Sequence, residues 1–140
     1  MQLCDIAEIT LLEKECFSAP WSENALSDEL ENELARFFVA RYENKLAGYI
    51  GAFNVFGEVS ITNVAVAENM RKKGVATALL EKLEETVRLE NADFITLEVR
   101  ASNEKAISLY KKNGFQRVGE RKDFYSNPKE NAILMTKSLH

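Results

Sequence analysis

The sequence predicts a mixed α/β domain, and two features of its patterning carry that prediction. Three consecutive runs rich in β-branched and aromatic residues, Arg36 to Tyr42, Lys45 to Val55 and Glu58 to Val66, are separated by turns of two residues, which implies antiparallel pairing. The third run leads through a helical-period segment, ending near Glu90, into a further run from Phe94 to Val99. That is a β-α-β unit, whose strands must be parallel and whose crossover must be right-handed. A sheet with both kinds of connection is mixed.

Taken in order, Ile6, Ile9, Leu12 and Cys16 recur at helical spacing until Phe17-Ser18-Ala19-Pro20-Trp21 breaks the pattern. Ser22 can then cap a second helix through Leu26, Leu30 and Leu34, so the chain opens with a helical hairpin. Glu43-Asn44 and Phe56-Gly57 supply the turns between the three strands. Val75, Leu79, Leu80, Leu83 and Val87 make one apolar face of the crossover helix. Ser102 or Asn103 caps another helix, with Ala106, Ile107 and Tyr110 on one side and Gly114 as its stop. Strands near Phe115 to Tyr125 and Ala132 to Leu139 finish the order α-α-β-β-β-α-β-α-β-β. With no repeat, low-complexity tract or linker, residues 1–140 read as one domain, long enough to bury roughly two-thirds of the surface of its unfolded chain.

Composition narrows the chemistry. The two cysteines, Cys4 and Cys16, lie near the N-terminus and the only histidine is His140, which excludes a disulfide framework and leaves a Ser-His-Asp triad, a Cys-His pair or a multi-His zinc site without its base or ligands. No metal is expected. The N-terminal segment lacks a basic region before its apolar residues, and the longest apolar stretch, Leu46 to Phe56, is far short of a membrane span. Eighteen basic against 22 acidic residues, a net charge of −4, argue against a nucleic-acid footprint. The expectation is a cytoplasmic protein with no membrane or nucleic-acid partner.

The most informative segment runs from Val64, Ala65 and Val66 to Arg71, Lys72, Lys73, Gly74, Val75, Ala76 and Thr77. A strand passes into a cationic loop, then into a helix start whose unpaired N–H groups and dipole favour an anion. A small residue at Gly74 and again at Ala76 lets phosphate oxygens approach the amides, and the three cations neutralise further phosphate charge. The plain alternative is a solvated basic helix start. Neither GxxxxGK[ST] nor GxGxxG is present, so this is not a P-loop or a dinucleotide fingerprint; Asp93 lies where a ribose-binding acid could fall, but also in the turn entering the next strand.

Arg71-Lys72-Lys73-Gly74-Val75-Ala76 resembles the acetyl-CoA loop of the GNAT N-acetyltransferases, [Q/R]-x-x-G-x-[G/A], and Asn103 through Phe115 (NEKAISLYKKNGF) resembles their later segment N-x-x-A-x-x-L-Y-x-x-x-G-F. Leu97 to Asn103, Pro20-Trp21-Ser22, and Phe124-Tyr125 with Ala132 to Met135 are similar to the RimI branch, the ribosomal-protein-alanine N-acetyltransferases. Ala76 replaces the more frequent second glycine, and Ser18-Ala19 lengthens the approach to Pro20-Trp21, which bears on peptide preference. The resemblance implies a sheet whose two parallel central strands splay apart, with acetyl-CoA along the backbone of Val64 to Val66 and its phosphates at Arg71 to Thr77. One of the freed N–H groups would polarise the thioester carbonyl.

The same resemblance assigns the general base to Glu98, proton donation to the departing thiolate to Tyr110 and a CoA contact to Asn103. From the residues alone, Glu98 could equally be a partly exposed carboxylate paired with Arg100 or Lys105, Tyr110 a core aromatic and Asn103 only a helix cap. Phe17, Trp21 and Tyr125 are the candidates for the acceptor side, with Trp21 also readable as a hydrophobic plug. The implied acceptor is the α-amine of a protein N-terminus, on the family precedent the alanine of a small-subunit ribosomal protein. The enzyme is expected as a monomer or weak dimer. A lysine or small-amine acetyltransferase and a noncatalytic acyl-CoA-binding module are the alternatives.

Overall fold

A computed structural model describes all residues from Met1 to His140. After a short 3-10 turn come α1 (Ile6–Cys16), α2 (Glu23–Glu29), β1 (Ala35–Tyr42), β2 (Lys45–Val55), β3 (Glu58–Val66), α3 (Val75–Leu89), β4 (Phe94–Arg100), α4 (Glu104–Lys112), β5 (Gln116–Tyr125) and β6 (Glu130–Ser138). The strands form one six-stranded sheet in the order β1-β2-β3-β4-β6-β5. Only β3 and β4 pair in parallel, so the sheet is mixed as the β-α-β unit requires. Both early hairpins turn on residues at positive φ, Glu43-Asn44 and Phe56-Gly57, the type I′ pattern that suits the twist of paired strands.

Helices cover both faces of the sheet. On one, Leu79, Leu80, Leu83 and Val87 of α3 and Tyr110 of α4 pack with Ile50, Val59, Ile95 and Met135. On the other, Ile6, Ile9 and Leu12 of α1 and Leu26 of α2 cover Phe37, Tyr49 and Ala65. Strand alternation sends Tyr49 to one core and Ile50 to the other.

The second helix is shorter than its apolar spacing suggests and ends at Glu29 rather than near Leu34. Leu30 and Leu34 continue the period but stay exposed, so no burial extends the helix. Asn32 instead turns the chain into β1, its side-chain oxygen accepting the Leu34 N–H at 2.9 Å and its carbonyl the Ala35 N–H at 3.1 Å.

Candidate active site

At the end of β3 a 3-10 turn, Glu68–Met70, leads to the cationic loop. Gly74 is the N-cap of α3 itself, at φ +80°, a left-handed conformation natural to glycine. The first bond into the helix runs from the Ala78 N–H to the Gly74 carbonyl, so the helix makes no use of the N–H groups of Val75, Ala76 and Thr77. A Cβ built on Gly74 would meet no atom within 4 Å, so the space before these amides is open. Lys72 and Lys73 are exposed and make no ion pair, while Arg71 folds back, its Nε donating to the Val66 carbonyl at 3.2 Å and its Nη2 lying 3.7 Å from the Cys16 sulfur. These features fit an anionic cosubstrate.

The parallel pair of strands diverges. β3 and β4 are in register only at Glu58 with Phe94, Val59 with Ile95 and Ser60 with Thr96, and the chains separate beyond that point. Thr62 is left out of the β2–β3 ladder as a bulge between Ile61 and Asn63. The Ala67 N–H bonds the Ala47 carbonyl, so by alternation Ala65 also faces β2, whereas Val64 and Val66 turn their polar groups to the open edge. The expectation that all three residues present free backbone groups is therefore corrected: Ala65 faces β2 and the Val66 carbonyl accepts from Arg71 Nε, which leaves the Val64 groups and the Val66 N–H at the open edge. Buried amides without partners are costly, so this edge suits a ligand carrying its own amides.

Glu98 sits two residues before the end of β4 and is exposed. The structure pairs it with neither Arg100 nor Lys105; the nearest cation is Arg121 of β5, at 4.0 Å. Arg100 is engaged by Glu130 at 3.3 Å and by the carbonyls of Pro128 and Ser126, and lies 4.5 Å above the Tyr125 ring. The Tyr110 ring is buried edge-on against Phe115, centroids 5.7 Å apart. Its hydroxyl makes no hydrogen bond to protein, and since no buried polar side-chain atom in the chain lacks a partner, that hydroxyl reaches accessible space. Burial, and then the neighbouring Tyr125, push the Tyr110 phenol up to about 12. Burial and the Glu98 carboxylate raise Tyr125 in turn, so the three groups share one electrostatic neighbourhood. Asn103 caps α4, accepting the Ala106 N–H at 3.2 Å.

A cavity of about 360 Å³ opens beside the splay. The loop between α1 and α2 gives it Phe17 to Ala19 and Trp21, β3 gives Thr62 and Asn63, β4 gives Arg100, and Phe124 to Ser126 close the far side. The three residues expected on the acceptor side, Phe17, Trp21 and Tyr125, thus meet in one wall system, while Glu98 and Tyr110 lie outside its lining. Sequence reasoning missed Glu13, Asn63 and Arg100. Glu13 is 1% exposed and accepts the Trp21 N–H at 2.8 Å, the Tyr49 hydroxyl at 2.5 Å and the Asn63 amide at 3.4 Å. Its signal was present: it stands four residues after Ile9, a carboxylate on the apolar face of α1.

No group of three or more potential ligands gathers to hold a metal ion, and no helix is long and apolar enough to cross a membrane. Residues 6–115 match the model of the acetyltransferase (GNAT) family. A Bacillus subtilis (strain 168) protein, provisionally named as a ribosomal protein bS18 alanine N-acetyltransferase, is 35% identical over 96% of this chain and 90% of its own length. An N-alpha-acetyltransferase of Saccharolobus solfataricus is 39% identical over 74% of this chain and 69% of its own. The crystal structure of the ribosomal-protein-S18-alanine N-acetyltransferase from Escherichia coli superposes with a TM-score of 0.90 at 28% identity, covering 99% of this chain and 90% of that one.

Proposed function

This chain belongs to the GNAT family of acetyltransferases and is an acetyl-CoA-dependent N-acetyltransferase; from that premise we propose that its acceptor is the α-amine of a protein N-terminus, with the N-terminal alanine of a small-subunit ribosomal protein as the leading substrate. The observation that carries this reading is the aromatic-walled cavity at the mouth of the splay, which has the volume of a ligand site. A polyamine acceptor would want free carboxylates there. The one carboxylate in the lining is Glu13, whose oxygens are already taken by three donors of the protein. The relatives named for N-terminal acetylation support the same choice.

In this reading the open N–H groups of Val75, Ala76 and Thr77, with Lys72 and Lys73, hold the phosphates of acetyl-CoA, and Arg71 leaves the Val66 carbonyl to join them. Val64 and Val66 on the open edge hold the pantetheine amides, and a backbone N–H there stabilises the oxyanion as the amine attacks. Asn103 lies at the N-terminus of α4, where its cap orients the helix start toward the cosubstrate. Glu98, outside the cavity lining, takes the amine proton through water, and Tyr110 protonates the departing thiolate. Transfer is direct, with no covalent enzyme intermediate. An α-amine with a pKa near 8 is neutral far more often at pH 7 than a lysine near 10.4, a gap of about 3.4 kcal/mol, which suits a single carboxylate working through water.

Mass spectrometry of a peptide panel tests the reading. Peptides with varied free N-termini, and the same peptides with a blocked N-terminus and an internal lysine, are incubated with acetyl-CoA and enzyme. One acetyl group on the α-amine, most rapidly after alanine, is expected; acetylation confined to lysine would overturn it.

A further inference from the structure

Two carboxylates of the chain are buried, and they are held differently. Asp5 is paired with Arg41. Glu13 meets no cation at all, only neutral donors: the backbone N–H of Trp21, the Tyr49 hydroxyl and the Asn63 side-chain amide. Burying a charge with no opposite charge is expensive, and a leucine at this position would continue the apolar face of α1 and pack on the same core. The three donors belong to three separate segments, the α1–α2 loop, β2 and β3, and two of them, Trp21 and Asn63, line different walls of the acceptor cavity. Asn63 is held at both ends, because its oxygen accepts the Thr62 hydroxyl at 2.6 Å while its nitrogen donates to Glu13. One carboxylate thus sets the position of the loop carrying Phe17 and Trp21 against the bulged part of β3.

We propose that Glu13 is a positioning residue for the acceptor: by tying the Phe17–Trp21 loop to Tyr49 and Asn63, it sets how tightly the acceptor amine's peptide is held, and leaves acetyl-CoA binding and the chemical step alone. The proposal rests on the reading that this cavity receives the acceptor. Glu13→Gln preserves volume but must turn an N–H toward a donor on one side, and Tyr49→Phe removes one donor while keeping the ring between Phe37 and the helix.

The test uses the full chain and a hexapeptide with a free N-terminal alanine. Glu13→Gln is expected to raise the peptide KM by about fivefold or more, with kcat and the acetyl-CoA Kd each within about twofold of wild type, and Tyr49→Phe to shift KM in the same direction. Trp21 is the only tryptophan, so its emission follows the loop directly, and half-maximal response to the peptide should move to higher concentration in step with KM. A purely structural Glu13 would lower the melting temperature and the active fraction without this split, so an unchanged peptide KM in folded variants overturns the proposal. If Glu13→Gln does not fold, Tyr49→Phe decides by the same two readouts. No Trp21 response to peptide in the wild type overturns both the proposal and the acceptor reading beneath it, whereas a response without transfer overturns the acceptor chemistry alone.

Discussion

In the proposed mechanism Glu98 accepts a proton and Tyr110 gives one up, and the two side chains stand in different surroundings. Glu98 is solvent-exposed beside Arg121, while the Tyr110 ring is buried with only its hydroxyl reaching accessible space. Glu98→Gln should therefore keep acetyl-CoA affinity yet lower kcat/KM about 10²-fold or more near neutral pH, with partial recovery as rising pH deprotonates more of the amine. Steady-state rates across pH check this, and a loss equally deep at every pH would move Glu98 from base to peptide positioning. For Tyr110 the burial that raises its phenol to about 12 favours the neutral form in the fold. That preference is fully present below pH about 10, the ordinary tyrosine value, and is lost as pH climbs through the raised one. Tyr110 should accordingly hold its proton throughout the working range and produce no alkaline limb below pH about 10. Tyr110→Phe keeps the packing on Phe115 and should slow transfer about 10²-fold or more with acetyl-CoA. In single-turnover comparison, an acyl donor with a less basic thiol should lose much less, and equal losses for both donors would take the proton-donor role away.

Among the elements, the start of α3 carries the sharpest prediction. An aspartate at Gly74 would place a carboxylate in the open space before the Val75 to Thr77 amides, on a backbone at φ +80°. Gly74→Asp should weaken acetyl-CoA binding by at least about tenfold, roughly 1.4 kcal/mol, and calorimetry showing unchanged affinity in a folded variant would reject the phosphate placement. This element was legible because strand, cations, glycine and helical period follow one another in a single short segment. The hairpins at Glu43-Asn44 and Phe56-Gly57 were legible for the same local reason. The end of α2 was not, since Leu30 and Leu34 keep a helical period that no partner buries, and the Asn32 side chain wins the competition for the Leu34 N–H. Glu98 shows the limit of alternation, which gives the face of a strand but not what the neighbouring strands bring to it; Arg121 arrives from β5. Glu13 escaped because a carboxylate on an apolar helix face gains its meaning only from donors 8, 36 and 50 residues away in sequence.

At the scale of the molecule, the sheet is two three-stranded halves, β1-β2-β3 and β4-β6-β5, joined by hydrogen bonds along only three residue pairs. That junction lies at the start of β3 and β4, and the cationic loop and the cavity walled by Phe17, Trp21 and Tyr125 lie at the other end. Periodicity could not show where the pairing stops, because the apolar faces of both strands run on past Ser60 and Thr96 into the cores. In deuterium exchange, the shortness of the junction becomes a pattern in time. Amides in the joined part of the ladder, around Val59 and Ile95, should exchange only with large openings of the fold, while Val64 and Val66, aimed into the gap, should exchange within the earliest time points of the free enzyme. Adding acetyl-CoA should slow these two selectively, and equal protection of Ala65, which faces β2, would signal general tightening and not a ligand lying in the seam. In the proposed binding mode the unfinished ladder would take the cosubstrate as a temporary strand, with an isotopic clock at each place where it pairs.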